Sequence, residues 1–246
     1  MSLPPLHFDA TEQALQHLIG DMNTAGYAVV QDFIDSDTLR SLQAYVRDRV
    51  AEAGGEYVAP TGAPALLGSG LDEIGRAPAF LGLLAALYEK DRGNRPQPPY
   101  PHQVLRCLSG ATGVPHSYLF HFDSFVITAL LPIEIPASGR SGDLIMWPNL
   151  RPVRSSYFGN LVDKLLLDNM VTQWLLRRLW QSTAMGFTRI KMIPGNLYLF
   201  WGYRSLHANE PCDTDKIRAT ALFHLGDPHA QSNLARRLRR ARQPQH

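Results

Sequence analysis

Cysteine is nearly absent from this chain: Cys107 and Cys212 are the only two, and their separation matches no metal-binding pair. That excludes a disulfide scaffold and a thiolate zinc module. With no charged, then apolar, then small-residue leader at the start, it points to a reducing cytoplasm. Long apolar runs are missing as well, so no segment reads as a membrane span. Excess charge is missing too, since a formal net charge of +2 provides no broad field to hold nucleic acid. No internal repeat of roughly 20 to 50 residues recurs, which argues against solenoids and propellers. What remains, 45% hydrophobic and 19% charged, is the composition of a globular domain large enough for a sizeable core.

The first hundred residues carry helical periods around one strand. Residues 10–25 place Leu15, Leu18, Ile19 and Met22 at helical spacing before Gly26, and 27–34 read as a strand. A helix capped by Asp35 or Ser36 follows, with Leu39, Leu42, Tyr45, Val46 and Val50 on its apolar face and Gly54-Gly55 as its stop. Residues 56–70 form a Gly/Pro/Ala loop, 78–90 a helix with Pro78 in its first turn, and 91–101 an irregular Pro-rich stretch. From there the period becomes two, and short strands are expected at 102–108, 116–135, 142–147, 187–193, 196–201 and 216–225. The expected fold is α+β: a double-stranded β-helix, a jelly-roll or cupin-like barrel, supported by N-terminal helices in a single domain spanning 1–246.

Two segments stand outside that pattern. Leu161 to Trp180 have a helical period and mark a helical insertion over about 149–186. It either packs on the barrel or on a second subunit of a homodimer, or it closes over the site as a lid. Arg151 and Arg154 precede it; with twenty arginines in the chain, solvated surface explains them as well as an anion site does. Arg236, Arg237, Arg239, Arg240 and Arg242 crowd a basic tail over about 229–246, which reads as a solvated or frayed helical end ahead of an RNA-binding or anionic-partner role.

The chemistry concentrates at Tyr118 to Val126. In an extended chain i and i+2 face the same way, so His121 and Asp123 offer an imidazole and a carboxylate to one ion. His207, just after a second β-like run, is the best candidate for a third ligand. Two histidines and one carboxylate on one side of a metal leave positions open for non-haem Fe(II) and O2 chemistry. A bare His-x-Asp triplet is weak, because chance supplies roughly 0.5 in a chain of this composition. A second copy, His7-Phe8-Asp9, reads instead as a helix start, with Asp9 as N-cap and Glu12 at N3. The company of the first copy separates the two. Arg218 and Thr220 follow in the alternating run Lys216 to Leu225, and a buried guanidinium beside a hydroxyl is a receptor for a carboxylate. His102, His116 and His224 have no carboxylate two residues on and read as structural; Asn209 reads as a support for His207 or as a turn former.

His121-x-Asp123, His207 and Arg218-x-Thr220 resemble the motifs of the Fe(II)/2-oxoglutarate-dependent dioxygenases, most closely the phytanoyl-CoA dioxygenase-like branch. Gly26-Tyr27-Ala28-Val29-Val30-Gln31-Asp32-Phe33-Ile34, Leu39, Leu42 and the helix containing Pro78 are similar to that branch's N-terminal part, and the resemblance covers most of residues 20–227. It implies Fe(II) on His121, Asp123 and His207, with 2-oxoglutarate as co-substrate held by Arg218 and Thr220; Tyr118, three residues before His121, and Arg106, on the preceding strand, read as contacts to 2-oxoglutarate or substrate, or as ordinary barrel residues. It also implies O2 and a small-molecule substrate that is hydroxylated while 2-oxoglutarate becomes succinate and CO2. Desaturation or ring closure would use the same ligands; halogenation is disfavoured because Asp123 fills the position a chloride needs. The rival classes are a metal-dependent isomerase or hydrolase on a similar barrel, and a protein or RNA hydroxylase. The stretch 149–186 is longer and more helical than a minimal member of the family needs.

Overall fold

The structure, a computed structural model, describes residues 5–153, 167, 169–182 and 186–228. Its N-terminal part is helical. α1 (Glu12–Thr24) buries Leu15, Leu18 and Met22, and α2 (Ser36–Glu52) buries Leu42, Val46 and Val50, each set spaced to fall on one stripe. Asp35 caps α2 by accepting from Thr38 N–H at 2.7 Å, and Gly54 and Gly55 end it with positive φ. For α1 the cap is Thr11, not Asp9: the Thr11 hydroxyl accepts from Ala14 N–H while Asp9 accepts from Thr11 N–H one step earlier. Strand β1 (Tyr27–Val30) lies between these helices and is shorter than expected. The six-residue α3 (Leu71–Arg76), too short to show a period, precedes α4 (Pro78–Arg92), which starts on its proline.

The strands are β2 (His102–Leu108), β3 (Ile127–Glu134), β4 (Leu144–Trp147), β5 (Thr188–Ile190), β6 (Leu197–Phe200), β7 (Leu206–Asn209) and β8 (Arg218–Leu225). Two short helical turns, α5 (Gly110–Gly113) and a 3-10 turn (Val114–His116), follow β2, and α6 (Met170–Leu179) lies between β4 and β5. The expected strand over 116–135 is interrupted: 117–118 and 124–126 bend, and only 127–134 is regular. Strand β7, which carries His207, was not expected.

Among the described residues pairing is antiparallel, in two sheets. The larger has the order β1-β6-β3-β8-β2 and the smaller β5-β4-β7. Strand alternation assigns the faces. On the larger sheet Leu105, Cys107, Ile127, Ala129, Leu131, Leu197, Leu199, Ala219, Ala221 and Phe223 join Leu15, Met22, Val46, Phe80 and Leu84 in one core under the helices. Each Leu, Ile, Val, Met or Phe side chain among them, fully buried, contributes about 1.5–3 kcal/mol. The next residues along the same strands, Arg106, Leu130, Phe200, Arg218, Thr220, Leu222 and His224, turn the other way and line a cleft with His207 and Asn209 of β7. On β7, Leu206 and Ala208 pack with Phe120, Ile145 and Leu176, the last from α6, and Ala208 also borders the cleft. Within the 149–186 segment α6 therefore packs against the smaller sheet, and no residue of α6 lines the cleft, while Asn149 donates to Met22 O and Asn23 O of α1. The remainder of that segment, including Arg154, and the basic tail lie outside the described residues. Among the described residues no helix is long and apolar enough to cross a membrane.

Candidate metal centre and anion cleft

The segment that carries His121 is held from both sides. His121 and His207 exchange two backbone hydrogen bonds, each 3.0 Å, and Asp123 N–H donates to Gly202 O at 2.9 Å. On the other side Gln173 of α6 substitutes for a strand, accepting from Phe120 N–H at 3.0 Å and donating to Phe120 O at 2.8 Å. The chain is thus extended through 121–123 without forming a regular strand, and the two side chains still converge. His121 Nε2 lies 3.6 Å from Asp123 Oδ1, and His207 Nε2 lies 3.6 Å from Asp123 Oδ2. The three ligand atoms fall within 4.8 Å of one another, a group that could hold a metal ion.

The protonation states suit that role. His121 Nδ1 is 2.9 Å from Leu119 O and His207 Nδ1 is 3.0 Å from Ser205 O. A carbonyl can only accept, so each Nδ1 carries a proton and each Nε2 is the ring nitrogen turned towards Asp123. Desolvation pushes His121 down to about 4, with the nearby His207 adding to it, although 43% of its side chain is open at the mouth of the cleft. Burial alone would raise Asp123, but His207, His224, His121 and the Thr128 hydroxyl together hold its carboxyl below the usual carboxylate range. With Nδ1 tied to a carbonyl, each imidazole has Nε2 free to serve a divalent cation alongside the Asp123 carboxylate. His7 and Asp9, by contrast, are exposed near the N-terminus.

Support for the carboxylate comes from residues that no motif marks. Thr128, fully buried on β3, donates its hydroxyl to Asp123 Oδ2, and His224 Nδ1 lies 3.0 Å from the same hydroxyl oxygen. Gly202 leaves the room they need: a Cβ there would stand 2.3 Å from Asp123 Oδ2 and 2.4 Å from Thr128 Oγ1. For His224 a signal existed, since it continues the every-second-residue series of Arg218 and Thr220. For Thr128 and Gly202 none did.

Arg218 is 2% exposed. It donates from Nε to Gly142 O at 2.9 Å and from Nη1 to Thr220 Oγ1 at 3.2 Å, and among the described residues no carboxylate lies within ion-pair reach. Desolvation, reinforced by the charge of Arg106, pushes it down to about 9, so it remains a cation at neutral pH. Arg106 lines the same cleft. Tyr118 is not among the lining residues; its ring lies 6.0 Å from that of Trp180, and its carbonyl accepts from Arg177 Nε. Asn209 lines the cleft with its amide donating to Glu210 O, while His116 stacks on Tyr57 at 3.8 Å away from it.

No family model matches the chain, and no curated protein matches it in sequence. Solved structures do match in shape. A prolyl hydroxylase from Trichoplax adhaerens, in complex with a hypoxia inducible factor oxygen degradation domain peptide fragment, is 14% identical with a TM-score of 0.55; the match covers 90% of this chain and 94% of that one. The non-heme alpha ketoglutarate dependent epimerase SnoN from nogalamycin biosynthesis is 16% identical at a TM-score of 0.55, over 88% and 84% of the two chains. A Pseudomonas putida prolyl-4-hydroxylase is 15% identical at 0.51, over 89% and 98%. At these identities the fold is what is shared, and it is a fold that hosts hydroxylases and alpha-ketoglutarate-dependent enzymes.

Proposed function

We propose that this chain is an Fe(II)/2-oxoglutarate-dependent oxygenase that hydroxylates an unactivated C–H bond of a small metabolite with O2, converting 2-oxoglutarate to succinate and CO2. The observation that carries this reading is the coincidence, in one cleft between two antiparallel sheets, of the His121/Asp123/His207 group and a buried Arg218 that has no carboxylate partner among the described residues and lies beside Thr220. A metal-dependent isomerase or hydrolase needs the first but has no use for the second. In this reading the two sheets are the halves of a jelly roll, and the resemblance of the motif set to the phytanoyl-CoA dioxygenase-like branch supports membership of that branch. Cys107 and Cys212, buried free thiols, fit a reducing cytoplasm.

His121, Asp123 and His207 would hold the iron, which when bound supplies the O2 activation. The rest falls to the chain. Arg218 and Thr220 bind the distal carboxylate of 2-oxoglutarate with a charged donor and a hydroxyl, which orients the co-substrate along β8. Leu130, Leu144, Phe200 and Leu222 give the cleft apolar walls that exclude water and receive the carbon skeleton of the substrate. Hydroxylation of a peptidyl residue is the second reading, favoured by the likeness to the prolyl hydroxylases.

The test is to incubate purified protein with Fe(II), 2-oxoglutarate and an extract of the source cell, and to follow succinate together with products heavier by one oxygen. His121→Ala, Asp123→Ala and His207→Ala should each abolish tight Fe(II) binding and turnover with the fold intact, and His7→Ala should do neither. Full iron occupancy and turnover in Asp123→Ala would remove the assignment.

A further inference from the structure

The cleft contains one more cation than the proposed reaction uses. Arg106 sits on β2, at the edge of the larger sheet and directly opposite Thr220 of β8, so its guanidinium shares the face of the sheet that carries Arg218 and Thr220. Its Nη2 donates to His116 O at 2.7 Å, which fixes the plane of the group. Its Nε is buried with no hydrogen-bond partner, and no carboxylate among the described residues lies within ion-pair distance. A buried donor without a partner costs free energy, and so does one guanidinium beside another in a cleft walled by leucine and phenylalanine.

Charge balance then distinguishes the two arginines. On the proposed function, on which this inference rests, the divalent metal and Arg218 are balanced by Asp123 and the two carboxylates of 2-oxoglutarate. Both ends of the co-substrate are occupied, and the Arg106 charge is left over. Arg106, Arg218, His121, Asp123 and His207 line the same cleft, so a group held by Arg106 shares that space with the co-substrate anchor and the metal ligands. We propose that Arg106 is the anchor for a carboxylate on the primary substrate, so that the enzyme acts on a carboxylate-bearing small molecule set down beside 2-oxoglutarate. The planar Nε/Nη fork suits a carboxylate, and a fixed guanidinium fixes the distance from that carboxylate to the reacting carbon.

The experiment uses the whole chain loaded with Co(II) and saturating 2-oxoglutarate, with 13C-formate as the probe and the paramagnetic enhancement of its relaxation as the readout. The parent should enhance formate relaxation saturably. Arg106→Gln should weaken that binding about tenfold or more, Arg106→Lys should retain part of it, and both should keep the parental affinities for Co(II) and 2-oxoglutarate with unchanged circular dichroism. Equal formate relaxation in the parent and Arg106→Gln overturns the proposal. So does a loss of 2-oxoglutarate affinity in Arg106→Gln as large as in Arg218→Ala, which would give Arg106 to the co-substrate. A parent that takes up no Co(II) or no 2-oxoglutarate fails before formate is added, and overturns the functional reading along with the proposal.

Discussion

Gly202 is the position at which a single methyl group should separate metal binding from folding. Its missing side chain is the space into which Asp123 and Thr128 project: a Cβ would lie 2.3 Å from Asp123 Oδ2, 2.4 Å from Thr128 Oγ1 and 3.0 Å from Asp123 Cβ, where ordinary contact begins at 3.4 Å. Asp123 cannot back away as a unit, because its N–H is tied to Gly202 O at 2.9 Å, so the adjustment falls on its side chain. In Gly202→Ala the carboxylate must retreat by roughly 1 Å, several times the tolerance of about 0.2 Å on a metal–ligand distance. Losing an orienting partner of a ligand already costs about 10- to 100-fold in metal affinity, and displacing the ligand itself should cost at least the upper end of that range. Overpacking should lower stability by about 1–3 kcal/mol, which for a chain of this size moves Tm by roughly 2–12 °C and leaves it folded at room temperature. Co(II) titration followed by visible absorption gives the affinity, and circular dichroism gives the melt. Gly82→Ala is the control, since a Cβ there on α4 meets nothing within 4 Å; it should be neutral for metal and stabilising by about 0.5–1 kcal/mol. A Gly202→Ala protein with parental Co(II) affinity would refute the geometry of the site.

The other predictions share that apparatus. Thr128→Val keeps the shape of a buried side chain and removes the donor to Asp123, so Co(II) affinity should fall about 10- to 100-fold with the fold intact, and Thr128→Ser should restore it; equal affinities in all three proteins would remove Thr128 from the metal site. Arg218→Ala should weaken 2-oxoglutarate about ten- to more than a hundredfold, from about 1.5–3 kcal/mol for a charge-assisted contact, and Arg218→Lys should retain part of the affinity; unchanged binding in Arg218→Ala would put the co-substrate elsewhere. Burial lowers the pKa of His102, His121 and His224 below their ordinary 6.5, that of His121 to about 4. The unfolded chain therefore binds more protons below pH 6.5, and the metal-free protein should lose stability as pH falls from about 6.5 towards 4 and stay level above. A urea midpoint at pH 5 equal to or above that at pH 7 contradicts this; His224, 11% exposed in its side chain, should account for more of the loss than the half-open His121.

The parts of this site that were legible in the sequence are those that strand alternation writes into it. Arg218, Thr220, Leu222 and His224 line the cleft for the same reason that Ala219, Ala221, Phe223 and Leu225 are in the core: β8 has one face on the helices and one on the cleft, so the chemical residues recur at every second position. His121 and Asp123 obey the same rule on a weaker basis, because the chain there is extended only through its bonds to His207, Gly202 and Gln173, and a regular strand begins at Ile127. Strand β7 was illegible because Leu206-His207-Ala208-Asn209 holds no β-branched or aromatic residue, unlike β1, β4, β5 and β6, and α3 was illegible because six residues are too few to show a helical period. The Asp9 cap was misplaced by two residues because Asp9 and Thr11 both carry acceptors suited to a helix start, and only the fold determines which one the first turn uses. Thr128 and Gly202 belong to a different kind of information. Their identities are dictated by a single carboxylate brought against them by the chain's path, one by supplying a hydroxyl and the other by supplying nothing, so no spacing along the sequence reports them. Arg106 shares both kinds: its place opposite Thr220 follows from pairing β2 with β8, but that its Nε is left without a partner is visible only once the cleft has formed around it.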